Sequence, residues 1–457
     1  MVLGQLPFRD YFQIVPPGTD TIYAILITSF GLRLWIPNLL MACLAGLAAG
    51  LTTVIASRIL HGTTIILPAL CLIGFVLPAS SDATHHWFSM VAILAAIWVL
   101  IDEITPTRIA AAGAFCGLAT CFTQTKGALA IVAFVIFLTV NRNEPGMTSA
   151  PVRRHNRLLF CGIASAVFFV FNVYFMWATG LRQWLFCLIE YPLRYYSWPA
   201  INNWRVVLYD FRSHAGTTAW ISFPFIYATV PLVYIVFTLF ARPRWNTLPE
   251  KSRGRLLLVA LTGFALFLAI ASSPSAKRLG AVSPPAMLLF TWLLDRPYRY
   301  AKHIRMILGG AAVAVSVVVP LRIQTQAHYY LSLPAGEAAF SDRGIYMEYR
   351  WVLENTYEGE YLFGLAPLYP AFHLRNPAAI EGFHASDYTR PEQIDGLVKA
   401  LQQHHVPILV LFRTADFLWA RGSVSDHLDP LRAYVKQYYH MAKTFPTGEE
   451  IWLRSLD

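Results

Sequence analysis

Charge is the scarcest material in this chain. Asp, Glu, Lys and Arg make up 14% of its 457 residues, against about 25% in a typical soluble domain. That excludes an ordinary water-soluble enzyme. Carboxylates are rarer still up to and including Arg322, where 10 Asp and Glu face 25 Lys and Arg. Cysteine is sparse as well. Cys43, Cys71, Cys116, Cys121, Cys161 and Cys187 have no metal-ligand spacing, and none lies in the tail after Arg322. A disulfide framework or zinc cluster therefore has no support, and small apolar packing residues are the simpler reading. No Gly-rich phosphate loop is present, which argues against nucleotide binding. No internal repeat of the kind common in transporters is visible, nor is a secretory leader with a small-residue cleavage site.

What the chain has instead is apolar length. Hydrophobic residues make up 56% of it, gathered into runs long enough to cross a hydrocarbon core at about 1.5 Å per helical residue. Membrane helices are predicted near 35–57, 62–77, 86–102, 108–123, 126–140, 157–179, 216–240, 255–271, 278–294 and 304–321. The apolar segment 20–32 is too short to span and reads as a helix lying at the interface. The fold class expected is thus a polytopic α-helical membrane protein of about ten spans.

The basic residues supply an orientation. Arg142, Arg153, Arg154 and Arg157 mark one loop. Arg242, Arg244, Lys251, Arg253 and Arg255 mark a second, and Arg296, Arg299, Lys302 and Arg305 a third. Ten alternating spans put all three on one side, which the positive-inside rule makes cytoplasmic. The net charge of +10 is thereby explained without a nucleic-acid partner. The opposite side holds residues 1–34, the segment 78–86, the aromatic loop 180–215, the loop 272–277 and the tail.

That tail is a different material, with 11 basic and 16 acidic residues after Arg322. Strand-like runs at Tyr361–Gly364, Pro407–Phe412 and Ile451–Arg454 alternate with helical patterns at Gly344–Asn355, Arg390–His404 and Asp426–Tyr439. A small extracytoplasmic α/β domain over 323–457 is expected. It follows a transmembrane domain over 35–322 and an extracytoplasmic loop with its interfacial helix over 1–34.

Three polar motifs interrupt the apolar part. The first is Gly4-Gln5-Leu6-Pro7-Phe8-Arg9-Asp10-Tyr11-Phe12-Gln13-Ile14-Val15-Pro16-Pro17-Gly18-Thr19-Asp20. The second is Ser81-Asp82-Ala83-Thr84-His85-His86-Trp87. The third is Phe122-Thr123-Gln124-Thr125-Lys126-Gly127. In pattern they resemble the GT-C superfamily of membrane glycosyltransferases, which includes the protein O-mannosyltransferases and the lipid A aminoarabinose transferases. The Arg-Asp and Pro-Pro-Gly element resembles the end of the first extracytoplasmic loop, where that superfamily keeps its acidic catalytic residues. The resemblance also implies a membrane helix and an Asp-Glu motif upstream of Met1.

Several residues are candidates for chemistry. Asp10 matches the Arg-Asp pair of the family and is the leading catalytic carboxylate; pairing with Arg9 or capping the next helix is its structural alternative. Asp20 reads as a helix cap, and so does Asp82 or Ser81 before His85. The resemblance makes His85 and His86 ligands of phosphate or sugar; a polar helix start beside an interfacial Trp explains them equally. Adjacent histidines are poor joint chelators on a helix. Lys126 between spans either serves an anion or snorkels. Lys277 and Arg278 form a cationic cluster suited to a lipid phosphate, or anchor a membrane boundary. Glu190, Arg194, Arg205 and Asp210 lie in the aromatic loop.

The reading that unites these is a glycosyltransferase. It would move a hexosyl or pentosyl group from a polyprenyl-phosphate donor to a lipid, glycan or protein acceptor on the outer face of the cell membrane. A transporter or lipid flippase, or a polymerase or ligase of surface polysaccharide, are the rival readings. No cofactor is called for, and a divalent metal is left open. The topology has a direct measurement: alkaline phosphatase fused after Asp457 will be active outside the cell, whereas activity confined to the cytoplasm would invert the orientation.

Overall fold

The computed structural model describes residues 1–141, 149–196, 204, 219–272, 274–295, 300–384, 388–412 and 426–455. Arg142, Arg205, Asp210, Arg296 and Arg299 lie outside the described residues, as does the Arg244 side chain.

Apolar composition without interior polar interruptions produces helices at each expected position. A short helix α1 (Gly18–Phe30) leads into α2 (Trp35–Ala56). The run α3 (Gly62–Ala79) mixes 3-10, α and π turns, with Pro68 and Pro78 each opening a new turn. Then come α4 (His85–Leu100), α5 (Pro106–Phe122), α6 (Gln124–Val140) and α7 (Ala150–Thr179). After them stand α8 (Ala219–Ala241), α9 (Glu250–Ile270), α10 (Ala276–Ala281), α11 (Ser283–Leu294) and α12 (Ala301–Gln326). Of these, α2, α3, α7, α8, α9 and α12 are long and apolar enough to cross a membrane, while α4, α6 and α11 are apolar but shorter. The chain is a multi-pass membrane protein. The expected span 278–294 is divided at Val282 into α10 and α11. The aromatic loop begins not as a loop but as helical turns over Leu181–Leu185, Phe186–Glu190 and Tyr191–Arg194.

Helix starts follow local chemistry. Thr105 accepts the Arg108 N–H at 3.3 Å, with Pro106 in the first turn. Ser275 accepts the Arg278 N–H at 3.3 Å. Both side chains satisfy a donor that a helix start leaves unpaired. Large apolar side chains on α7 and α12 face outward, Trp177 being 82% exposed and Ile307 72%. Such contiguous apolar surface suits lipid rather than water. Where the basic loops lie, Asp102 pairs with Arg58 at 3.1 Å and Arg255 at 3.0 Å. Asp295 pairs with Arg305 at 2.6 Å.

Helices α5 and α7 approach through small residues. A Cβ on Gly113 would lie 2.7 Å from the Phe160 carbonyl oxygen, and one on Gly117 2.5 Å from that of Ala164. The two glycines stand four apart, hence on one helix face. In lipid, where tails are as apolar as Leu, close backbone contact of this kind is what holds helices together.

The C-terminal part contains two sheets. Strands β1 (Tyr329–Leu333) and β2 (Gly336–Phe340) form an antiparallel hairpin. Strands β3 (Leu362–Phe363), β4 (Ile408–Phe412), β5 (Tyr439–Thr444) and β6 (Glu449–Arg454) form a sheet in the order β3-β4-β6-β5. The β3–β4 pair is parallel and the others antiparallel. Helices α13 (Arg343–Asn355), α14 (Leu368–Phe372), α15 (Pro391–Gln403) and α16 (Asp429–Tyr438) accompany it. Because strand side chains alternate, Leu409 and Leu411 of β4 pack with Ile394 and Leu397 of α15 and Val435 of α16. Ile408 and Val410 pack on the other face with Val352 of α13 and Phe372 of α14. The hairpin and β5 had no strand signal in the sequence, since β5 continues directly from α16 and is exposed after its first residue.

This part is docked on the membrane helices by backbone hydrogen bonds. Leu34 N–H donates to the Ala335 carbonyl at 3.0 Å, and Phe12 N–H donates to that of Ala379 at 2.7 Å. Replacing Gly117 with Leu should separate α5 from α7, at a cost of about 1–3 kcal/mol for overpacking. The expected result is a lower unfolding temperature in detergent, with the Gly162→Leu control, whose site is open space, unchanged.

Candidate active site

The site gathers where α5 ends and α6 begins. Thr123 serves as both the end of one helix and the start of the next, with extended backbone (φ −146°, ψ 105°). Its hydroxyl donates to the His85 carbonyl at 3.1 Å and approaches Ser89 Oγ at 3.3 Å. Gln124 then donates its amide to the Ile14 carbonyl at 2.7 Å and to that of Leu188 at 3.3 Å. One broken helix therefore binds α4, the N-terminal segment and the turns after residue 180 together.

Lys126 lies one turn into α6 and is fully buried, with 0% of its surface exposed. Its Nζ reaches the His86 carbonyl at 3.5 Å. Snorkelling to an interface, the alternative reading of this residue, requires an exposed ammonium and is not what the side chain does. The charges that act on Lys126 are Arg278 and Asp82. The His85 and His86 rings lie against each other with centroids 4.0 Å apart, and His86 Nδ1 is buried without a hydrogen-bond partner. Lys126 and Arg278 are also the charges that act on His85.

Helix α10 brings in the remaining cations. The Lys277 carbonyl accepts from Ser80 Oγ at 2.9 Å, and the Ser80 carbonyl accepts from the Trp87 indole at 2.7 Å. This chain fixes α10 to the start of α4. Lys277 Nζ pairs with Asp82 at 3.2 Å. Arg278 donates to the Tyr196 hydroxyl and lies 5.7 Å from the centre of its ring. Asp82 does not cap α4 by a side-chain bond, as the sequence suggested: it accepts from Thr84 Oγ1 at 3.2 Å and faces Lys277 instead.

The carboxylates come from the N-terminal segment and the C-terminal part. Asp10 is held by a two-point contact with Arg9, at 2.9 and 2.7 Å, and accepts the Leu6 N–H at 2.7 Å. The Arg9 guanidinium holds its carboxyl below the usual range. Asp20 lies in the first turn of α1 but makes no capping bond, because the helix already starts at Gly18. Gln13 bonds to its carboxyl, yet Oδ2 is buried without a hydrogen-bond partner. Burial pushes its pKa up. Glu381 is open to water, but the protein around it raises its carboxyl too, and the Asp20 charge adds to the rise. Tyr11 feels both acids.

Helix α1 packs against the α5–α6 break. A Cβ on Gly18 would lie 2.5 Å from the Cys121 carbonyl oxygen, and Tyr23 donates to the Ala83 carbonyl at 3.1 Å. Above the cations, Tyr388 packs on Tyr191 and Tyr196, each at 5.9 Å, and on His384 at 5.3 Å. Arg390 covers the Tyr195 ring at 4.3 Å. Sequence reasoning missed Glu381, Tyr196 and Tyr388, and it set Asp20 aside as a cap. Glu190, by contrast, is taken up by Arg194 at 2.7 Å. Among the described residues, no three His, Cys, Asp or Glu side chains are grouped to hold a metal.

Chemically, the arrangement opposes two sides. A buried lysine, a half-buried arginine and two imidazoles are suited to a phosphate, and a desolvated carboxylate is suited to taking a proton. The fold has counterparts among solved structures. Two crystal structures of ArnT from Cupriavidus metallidurans, a lipid A aminoarabinose transferase, are similar to this chain. The apo structure matches with a TM-score of 0.55 at 14% identity, covering 97% of this chain and 88% of that one. The structure bound to undecaprenyl phosphate matches with a TM-score of 0.53, with the same identity and coverage. No family model and no curated protein matches in sequence.

Lys126 gives the clearest separation of stability from binding. Lys126→Met keeps the methylene length and removes a buried, weakly bonded charge. Folding should hold or improve, since such replacements are often stabilising by about 1–4 kcal/mol. Affinity for a polyprenyl phosphate should fall at least tenfold, by one or more charge-assisted bonds at about 1.5–3 kcal/mol each. Equal affinity in the variant and the wild type would remove Lys126 from the anion site.

Proposed function

We propose that this protein transfers a sugar from a polyprenyl-phosphate donor to an acceptor hydroxyl at the outer face of the membrane. The reading is supported above all by the gathering of Lys126, His85, His86 and Arg278, with Asp20 carried on the adjoining helix α1, on a fold similar to ArnT. Ten spans over 35–322, the segment 1–34 and a C-terminal α/β domain over 323–457 on the outer side complete the proposal. A hexosyl or pentosyl donor, and a lipid, glycan or protein acceptor, are within it.

The step balances as follows. The acceptor oxygen forms a bond to the anomeric carbon as its proton passes to a carboxylate. The bond from that carbon to the phosphate oxygen breaks, and the polyprenyl phosphate leaves with the electron pair. Lys126 and Arg278 hold the growing negative charge, with Lys277 nearer to water. Cations fixed in a dry site stabilise such charge without reorganising at the moment of reaction. His85 and His86 contact the phosphate or the sugar.

Asp10 and Asp20 are the two carboxylates for the proton. We assign it to Asp20, because Asp10 spends both oxygens on Arg9 and the Leu6 N–H. Asp20 keeps Oδ2 without a hydrogen-bond partner. Its raised pKa makes it a better base than an ordinary carboxylate. Asp10 then fixes the shape of the N-terminal turn.

Transfer assayed in membranes separates these roles. Arg278→Ala should lose at least tenfold in rate while expression holds, and unchanged donor affinity would return Arg278 to a boundary anchor. Asp20→Asn should lose on the order of 10²–10⁴-fold, the usual worth of a general base. Asp10→Asn should stay within about threefold, and the opposite ranking would make Asp10 the catalytic acid. The base works as an anion, so activity should fall as pH drops through the raised pKa of Asp20. That fall should start at a higher pH than an unperturbed Asp, at about 3.9, would give.

A further inference from the structure

A second acidic centre lies in the C-terminal part, outside the site above. Glu348 on α13 is 2% exposed and Glu449 at the start of β6 is 7% exposed. Glu348 Oε1 and Glu449 Oε2 are buried without a hydrogen-bond partner, and so is Thr447 Oγ1. The charge that acts on Glu348 is that of Glu449. Two carboxylates thus face each other in a dry place, and among the described residues no Lys, Arg or His charge acts on Glu348.

The surroundings hold these oxygens in place. The turn that joins β5 to β6 is closed by Phe445 N–H donating to the Glu449 carbonyl at 2.8 Å and Gly448 N–H donating to that of Phe445 at 3.0 Å. It sits directly on the first turn of α13, where a Cβ on Gly344 would lie 2.9 Å from Thr447 Cγ2. Gly344, Glu348 and Val352 follow each other at four-residue intervals and are all buried, so they share the covered face of the helix. Hydrophobic residues at this position would pack without penalty. Two glutamates there are expensive unless something neutralises them.

We propose that Glu348, Glu449 and Thr447 hold a divalent cation of the calcium class, which pins the β5–β6 turn to α13. Calcium takes six to eight oxygens in flexible geometry, from carboxylates in one- or two-point contact, from carbonyls and from water. Two carboxylates and a hydroxyl supply the protein's share, and backbone carbonyls or water supply the rest. Magnesium demands a tighter octahedron and gives up water reluctantly. The affinity expected is that of extracellular calcium modules, about 10⁻⁴–10⁻³ M. That matches the outer location proposed for this segment, although the binding itself is independent of sugar transfer.

The full chain, purified in detergent and freed of metal with a chelator, is titrated with calcium while unfolding temperature and heat of binding are followed. Millimolar calcium should raise the unfolding temperature by several degrees. Magnesium should do less. Glu348→Gln and Glu449→Gln should each weaken calcium binding at least tenfold, and Thr447→Val a few-fold. If a glutamine variant fails to fold, the wild-type titration alone decides. No calcium effect on the wild type would overturn the proposal. So would an equal response in Glu348→Gln, which would place the ion elsewhere.

Discussion

Everything at the candidate site depends on Lys126 being kept from water. An ammonium with 0% exposure among apolar helices carries a desolvation cost of several kcal/mol. Its bond to the His86 carbonyl, at 3.5 Å, is too long to offset that. The nearest acid, Asp82, already faces Lys277 and Thr84. Among the described residues, Lys126 therefore has no carboxylate in salt-bridge contact. The break at Thr123 serves the same end. It starts α6 beside the start of α4, and helix starts carry partial positive charge. Two such starts and three cationic side chains make a place where a phosphate would replace what burial took away.

That constraint explains how much of the fold was legible. Apolar runs cannot be hidden in a sequence, so the membrane helices fell where hydropathy put them. Lys126 was legible for the opposite reason: a charge inside an apolar run must be either placed or expelled. The sequence could not choose between these, because the choice rests on neighbours such as Thr123 and His86, whose contacts span some forty residues. Capping was over-read. Asp20 and Asp82 stand near helix starts, but the helices begin two or three residues away from where a cap would serve. The small difference frees Asp20 for a proton and gives Asp82 to Lys277.

Other parts were not legible in principle. Glu381, Tyr388 and Arg390 reach the site from a part of the chain that joins it only through folding. Nothing local to 381–390 distinguishes these residues from ordinary surface. The strand β5 escaped for a different reason: it follows α16 without a turn residue and exposes its side chains, so neither punctuation nor alternation marks it. Strand β4, buried on both faces, was plain because a continuous apolar run needs no alternation.

The attachment of the C-terminal part bears on chemistry as well as on shape. Phe12 and Leu34 give their N–H groups to Ala379 and Ala335, and His373 meets the Leu32 carbonyl at 3.3 Å. These bonds stand on either side of α1, the helix that carries Asp20. With α1 so held, Tyr388 packs over Tyr191 and Tyr196, and Tyr196 in turn receives a hydrogen bond from Arg278. A roof of aromatic rings above buried cations lowers the local dielectric, and each electrostatic contact beneath it gains strength as water is excluded. Burial likewise raises the Asp20 carboxyl, since a low dielectric disfavours a lone carboxylate. The buried ammonium and the raised carboxyl thus each follow from desolvation, the first among the apolar helices and the second on a helix held at both ends by the C-terminal part.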